Sequence, residues 1–239
     1  MYAARALAAL GVPSLVAAKC ARRDRGRFLS TLGALDIPIE LRDGGSTATY
    51  AFSYDGDRRT MEVRELGDVW SPYEVEWARG GDWIHVGALY RGEFREETLA
   101  ALRDLGAQLS FDGQGLVRPA RVGPLELEPE PDTSFLRHVS VLKLSEEEAL
   151  ALVGRLDTRT LSELGVPEVV VTLGSRGCLV VARRSLIHVP TEPLAGIDPT
   201  GAGDSFAAAY VVERSRGRAP RAAAQRATRF VHGLLERTR

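Results

Sequence analysis

The segment 168–173 reads EVVVTL, a short run with no polar face. A run of this kind is a strand buried on both sides, as in a parallel sheet clad by helices. The rest of the chain supplies such helices in alternation with further strands. Strands are predicted at 83–86, 108–111, 139–143 and 178–182. Helices are predicted at 93–105, from Ser145 onward, at 201–213 and at 221–236. Ser145 with Glu148 three residues on forms a capping box that fixes one of these helix starts. Alternating strands and helices imply an α/β fold with a mostly parallel sheet. Ligands in such sheets sit beyond the carboxyl ends of the strands. The loops after Leu173 and before Gly201 therefore become the places to look for chemistry.

The first third breaks this rhythm. Tyr2–Leu10 reads as a buried helix stopped by Gly11, followed by a strand at 14–19 and a helix at 24–35 with Asp24 near its N-cap. Residues 47–54 (TATYAFSY) alternate as a strand does. Asp55, Gly56 and Asp57 signal a turn, and 59–64 returns as a second strand. This hairpin, bounded at 44–66, is expected to act as a lid or a subunit contact inserted in a single domain of residues 1–239. The Pro- and Glu-rich stretch 122–132 reads as a surface loop. No internal repeat is present.

Composition narrows the function classes. Net charge is −1, from 31 basic and 32 acidic residues, so no global field draws nucleic acid or anionic membrane. Arg214, Arg216, Arg218 and Arg221 cluster, but without stacking aromatics they read as a solvated face. No apolar run approaches the ~20 residues of a membrane span, and 2–10 lacks the marks of a signal peptide. Cys20 and Cys178 are far apart in apolar surroundings, which suits a reducing, cytoplasmic setting. His85, His138, His188 and His232 are scattered, so no zinc cluster is expected. Lys19 and Lys143 are the only lysines in an arginine-rich chain.

The chemistry concentrates in 198–206, DPTGAGDSF. Pro199 fixes a turn into a helix, and Gly201, Ala202 and Gly203 present little or no side chain. Their N–H groups at a helix N-terminus make an anion hole. Asp204 follows immediately, placed to accept a proton from an attacking hydroxyl. The plainer alternative is a glycine-rich turn with a helix-starting aspartate.

The full run resembles the C-terminal signature of the PfkB carbohydrate kinases, the family of ribokinase and adenosine kinase. That resemblance implies a ribokinase-like three-layer sandwich with a small β lid. It implies ATP and Mg2+ as cofactors, and a sugar, polyol or nucleoside as substrate. Asp204 would be the base, with Gly201, Ala202 and Gly203 as anion hole and Thr200 beside the nucleotide. The segment 171–177 (VTLGSRG) resembles the family's nucleotide-binding turn, with Thr172, Gly174 and Gly177 bordering the ATP phosphates. The segment 143–149 (KLSEEEA) resembles its Asn-x-x-Glu element: Glu148 falls on the magnesium-organising Glu, and Ser145 replaces the Asn. The hairpin, with Gly56, Asp57 and Arg58 at its turn, resembles the substrate lid. There Thr47 and Thr49 would face substrate, and lids of this kind pair subunits into a homodimer. The segment 111–118 (FDGQGLVR) resembles a branch containing inositol kinases. The first helix aligns with one that usually carries an Asn where Tyr2 stands, so the family's first strand and its acidic residue would precede Met1. An N-terminally truncated chain, inactive or serving as a non-catalytic nucleotide-binding relative, is the competing expectation. A dinucleotide oxidoreductase is disfavoured, because no G-x-G-x-x-G follows an early strand.

Overall fold

The computed structural model describes residues 1–55 and 58–237. Gly56 and Asp57 of the expected hairpin turn lie outside the described residues, as does the side chain of Arg58. Helix α1 (Tyr2–Leu10) ends at Gly11, whose left-handed backbone (φ 60) returns its N–H to the Ala8 carbonyl. Then come β1 (Val16–Ala21), α2 (Arg25–Gly33) and β2 (Ile39–Gly44). The hairpin is β3 (Thr49–Asp55) and β4 (Arg58–Glu65). Beyond it the βα rhythm resumes with β5 (Trp83–Val86), α3 (Glu96–Asp104), β6 (Gln108–Asp112) and α4 (Gln114–Val117). The short β7 (Gly123–Pro124) precedes β8 (Val141–Ser145), α5 (Glu146–Val153), α6 (Thr158–Ser162) and β9 (Glu168–Thr172). The chain closes with β10 (Cys178–Ala182), β11 (Ser185–Val189), α7 (Ala202–Ser215) and α8 (Pro220–Glu236). Among the described residues no helix is long and apolar enough to cross a membrane.

Six strands form the main sheet in the order β11-β10-β9-β8-β6-β5. Strands β5, β6, β8 and β9 are parallel, while β10 runs antiparallel to both of its neighbours, β9 and β11. The apolar run at 168–173 is thus parallel to one neighbour only; its other partner, β10, opposes it. A separate parallel ladder joins β1 to β2, in register from Val16↔Ile39 to Ala21↔Gly44. The sheet of the expected lid has three strands rather than two. Within the stretch read as a surface loop, Gly123 and Pro124 pair with Val63 and Glu62.

The central strands divide their side chains between two cores by simple alternation. Leu142, Leu144, Val169 and Val171 face one core with Leu99 and Leu102 of α3 and Ala149 of α5. Val141, Val170, Cys178 and Val180 face the other, with Phe206 and Tyr210 of α7 and Ala223, Ala224 and Ala227 of α8. Each fully buried valine contributes roughly 1.5–3 kcal/mol relative to exposure. The result is helices, sheet, helices: three layers, as expected.

Two boundaries moved for physical reasons. Strand β11 follows β10 through Arg183 and Arg184, both left-handed (φ 50 and 59), in a two-residue turn that usually carries Asn-Gly. The helix expected from Glu93 begins instead at Glu96. Glu93 is buried in the preceding turn, where its carboxylate accepts from the Leu89 N–H. Burial pushes its pKa up to about 7, against the pull of the Leu89 and Tyr90 amides. The folded state therefore holds this proton between about pH 4.5 and 7, while the unfolded chain releases it. Stability from this group is full below that window and is lost as pH rises through it, by about 3 kcal/mol. Glu93→Gln is expected to remove that part of the decline, read as urea midpoints for both proteins at pH 5 and pH 8.

Candidate active site

The turn into α7 is built locally. Asp198 Oδ1 accepts from the Thr200 N–H (2.9 Å) and from Thr200 Oγ1 (2.6 Å), an Asx-type turn that aims the chain into the helix. Gly201 caps it with φ 80. A Cβ there would lie 2.1 Å from the ring of Tyr2, so glycine is required by conformation and by contact alike. The Ala202 N–H donates to the Pro199 carbonyl at 3.0 Å and is therefore already partnered. Among the described residues, the Gly203 and Asp204 amides have no backbone acceptor. Of the three amides expected to form the anion hole, Ala202 is thus partnered, while among the described residues Gly201 and Gly203 have no backbone acceptor.

A groove of about 630 Å3 runs up to this helix start. Thr172, Gly174, Gly177, Lys143, Ala202 and Gly203 are on its wall, so the two glycine segments read separately in the sequence meet there. Thr200 and Gly201 stand behind the wall, with Pro199 on it. Gly174 (φ 57) and Gly177 (φ 89) shape the turn between β9 and β10, closed by the Leu173 N–H to the Gly177 carbonyl at 2.8 Å. Thr172 Oγ1 donates to the Leu144 carbonyl (3.3 Å), which ties this turn to the end of β8. A second cleft of about 500 Å3 lies between β11 and α8 and shares Thr191 and Thr228 with the groove.

A charged cluster meets the groove at Lys143. Asp112 and Lys143 are register partners on the neighbouring strands β6 and β8, and Lys143 Nζ stands 3.3 Å from Asp112 Oδ2. Both side chains are almost fully buried (6% and 3% exposed). Burial works against the Lys143 ammonium, but Asp112, Glu148 and Asp204 together hold its pKa above the ordinary value. It stays charged. Asp204 is raised above the usual carboxylate range, first by burial and then by Asp112, while Lys143 and His85 pull it down. Burial lowers His85 despite the same two carboxylates, and its ring Nδ1 is 3.2 Å from Ser110 Oγ.

Glu148 is buried rather than on the groove wall, which carries Glu146 and Glu147 instead. One Glu148 oxygen accepts from the Ser145 N–H (2.8 Å) and completes the capping box. The other faces Arg118 at 3.9 Å. Burial is the main cause of its raised pKa. Among the described residues, no three His, Cys, Asp or Glu side chains gather as a metal cage. Magnesium coordinated by donor phosphates needs only one or two carboxylates and keeps several waters. The carboxylates on the groove wall, Glu146 and Glu147, suit an ion delivered with its phosphates.

Thr47 and Thr49 do not join the cluster. Thr47 Oγ1 donates to Asp24 Oδ2 (2.6 Å) and accepts from the Ala21 N–H (2.9 Å), which locks the lid base to β1. Thr49 Oγ1 donates to the Thr47 carbonyl (3.0 Å). Sequence reasoning missed Lys143, Asp112 and His85 as site residues. Lys143 had a signal in being one of only two lysines in an arginine-rich chain; in the structure each pairs with a carboxylate, Lys19 with Glu74 (2.8 Å) and Lys143 with Asp112.

The sequence profile of the pfkB family carbohydrate kinases matches residues 3–230. A fructokinase of Salmonella typhimurium is 32% identical over 182 residues, 70% of this chain and 59% of that protein. An inositol 3-kinase of Zea mays is 32% identical over 166 residues, 68% of this chain and 41% of its own length. The matched part thus spans about two-fifths to three-fifths of these relatives. A solved pyrophosphate-dependent kinase in the ribokinase family, complexed with sulfate, shares the fold with TM-score 0.88 at 24% identity, over 98% of this chain and 85% of that one. Arabidopsis thaliana ribokinase, complexed with ribose and ATP, follows with TM-score 0.74 at 20% identity, over 98% and 80%. Since the profile runs through nearly the whole chain and its glycine signature opens α7 at the groove's end, the chain belongs to the pfkB family of carbohydrate kinases.

Proposed function

We propose that the chain transfers the γ-phosphoryl group of ATP to a hydroxyl of a sugar or related polyol. The observation that carries this reading is the placement of Asp204. Its carboxylate has a raised proton affinity and sits in the first turn of α7, one residue from an open amide at the end of the groove. The donor would lie along Thr172, Gly174 and Gly177, with its base in the cleft between β11 and α8. Magnesium, bound to the donor phosphates, would supply neutralisation of their charge. Asp204 takes the proton of the acceptor hydroxyl as its oxygen bonds phosphorus. The bond from phosphorus to the bridging oxygen breaks, and its electron pair leaves with ADP. The Gly203 amide and the dipole of α7 hold the equatorial oxygens in that passage. The fructokinase and inositol 3-kinase relatives support a polyhydroxylated acceptor, which the three-stranded hairpin would cover as a lid.

The test is product release from native chain and Asp204→Ala with magnesium and a panel of hexoses, pentoses, nucleosides and myo-inositol. ATP and pyrophosphate are each offered as donor. ADP release with one acceptor, absent in the variant, is the expected result. Pyrophosphate consumption without ATP use would replace the donor assignment, and binding of ATP with no acceptor turned over would sink the kinase reading.

A further inference from the structure

Lys143 is the one buried cation on the groove wall, and its surroundings leave it underused. An ammonium has three donors. Among the described residues its hydrogen-bond partner is Asp112, at 3.3 Å, well beyond the ~2.8 Å of a good charge-assisted pair. Its Nζ lies against the anion hole: a Cβ at Gly203 would sit 3.1 Å from it. Three carboxylates, on Asp112, Glu148 and Asp204, act on this single ammonium. Donors left open at the point where groove, open amide and base converge are aimed where an anion arrives. Burial makes the position costly for an ammonium with no further ligand. A compact ammonium also fits beneath Gly203 where the planar fork of arginine does not, which accounts for a lysine here in an arginine-rich chain.

We propose that Lys143 is a catalytic residue that donates hydrogen bonds to the phosphoryl group as it passes from the donor to the hydroxyl beside Asp204. This deepens the kinase reading and rests on it. The bond from the acceptor oxygen to phosphorus forms while the bridging bond breaks, the acceptor proton goes to Asp204, and Lys143 keeps all its protons throughout. Its ammonium exchanges the loose contact with Asp112 for the equatorial oxygens, whose charge grows only during transfer.

The test compares native chain, Lys143→Met and Lys143→Ala on the best acceptor from the panel, with donor Kd from calorimetry and thermal unfolding alongside. Lys143→Met is expected to lower kcat at least 100-fold while the Kd of magnesium-ATP stays within threefold. Lys143→Ala is expected to regain activity saturably with ethylammonium and not with tetramethylammonium, which has no donor hydrogens. A kcat within threefold of native in Lys143→Met overturns the proposal. So does a folded Lys143→Ala that ethylammonium leaves inactive, and so does unfolding of both variants, which would make Lys143 a structural counter-ion. An inactive native chain is a different failure: it removes the kinase reading itself, and this assignment with it.

Discussion

Asp204→Asn is expected to lower kcat by about 10³-fold, within the range for a positioned general base, with little change in donor affinity. The substitution keeps the shape and polarity of the first turn of α7 and removes only the acceptor for the hydroxyl proton. Its effect on stability runs the other way. A carboxylate at a helix N-terminus gains ~0.3–1 kcal/mol from the dipole. Here, however, burial and the Asp112 carboxylate outweigh every favourable influence, because the net displacement of Asp204 is upward. At neutral pH the folded state therefore bears a penalty for the charge, and Asp204→Asn should melt at a higher temperature than the native chain. Loss of turnover together with a gain in Tm separates a base held against its preference from a residue that supports the fold. The native rate should also fall on the acid side at a pH above the ordinary aspartate range, since the raised proton affinity brings the protonated, idle form in early. Steady-state kinetics from pH 4 to 8 with parallel melting curves reads both effects. A lower Tm for the variant would contradict this account.

Gly177→Val is expected to cost about 3–5 kcal/mol and to abolish donor binding. The backbone at Gly177 has φ 89 and ψ −130, a region that side chains scarcely enter. A Cβ there would lie 2.0 Å from the Val189 carbonyl oxygen, a main-chain atom of β11 that cannot swing aside. Either β11 separates from β10 or the turn 174–177 rearranges, and both the sheet edge and the groove wall depend on those contacts. Gly174→Ala is the internal control. Gly174 is also left-handed (φ 57), yet nothing lies within 4 Å of its added Cβ, so only the conformational term remains, about 1 kcal/mol. Urea midpoints for the two variants should differ by a factor of three or more in stability lost. Equal losses would mean that contact with Val189 does not govern the turn.

Which features could be read from the sequence follows from how local their causes are. Helix α1 and its Gly11 stop, the capping box Ser145/Glu148 and strands β5, β9 and β10 each depend on neighbours a few residues away, and each was legible. Strand β2 was not: Glu40, Arg42 and Asp43 break its apolar pattern, and its support is the ladder to β1. Strand β7 is two residues long and exists only because β4 pairs with it. At the site, Gly201, Gly203 and Asp204 are contiguous and announce themselves. The Lys143–Asp112 pair spans 31 residues and comes together through the register of β6 against β8, which no local pattern encodes. The hydrogen bonds of Thr47 have the same cause, since Asp24 and Ala21 reach it only once β1 and the base of the hairpin are in place.

Residues 205–213 of α7 are buried without interruption, in contact with α1, α8 and β5. A helix enclosed in this way has no inexpensive direction in which to shift, so Asp204 and the open Gly203 amide at its start keep fixed coordinates within the domain. In the proposed kinase, adjustment to different acceptors would fall to what is less enclosed: the hairpin strands, and the Tyr2 ring over Gly201. Evolution can then redraw the acceptor pocket through those parts while the reacting atoms keep one frame. That division gives a family whose members bear the names of fructose, inositol and ribose kinases a single chemistry to vary around.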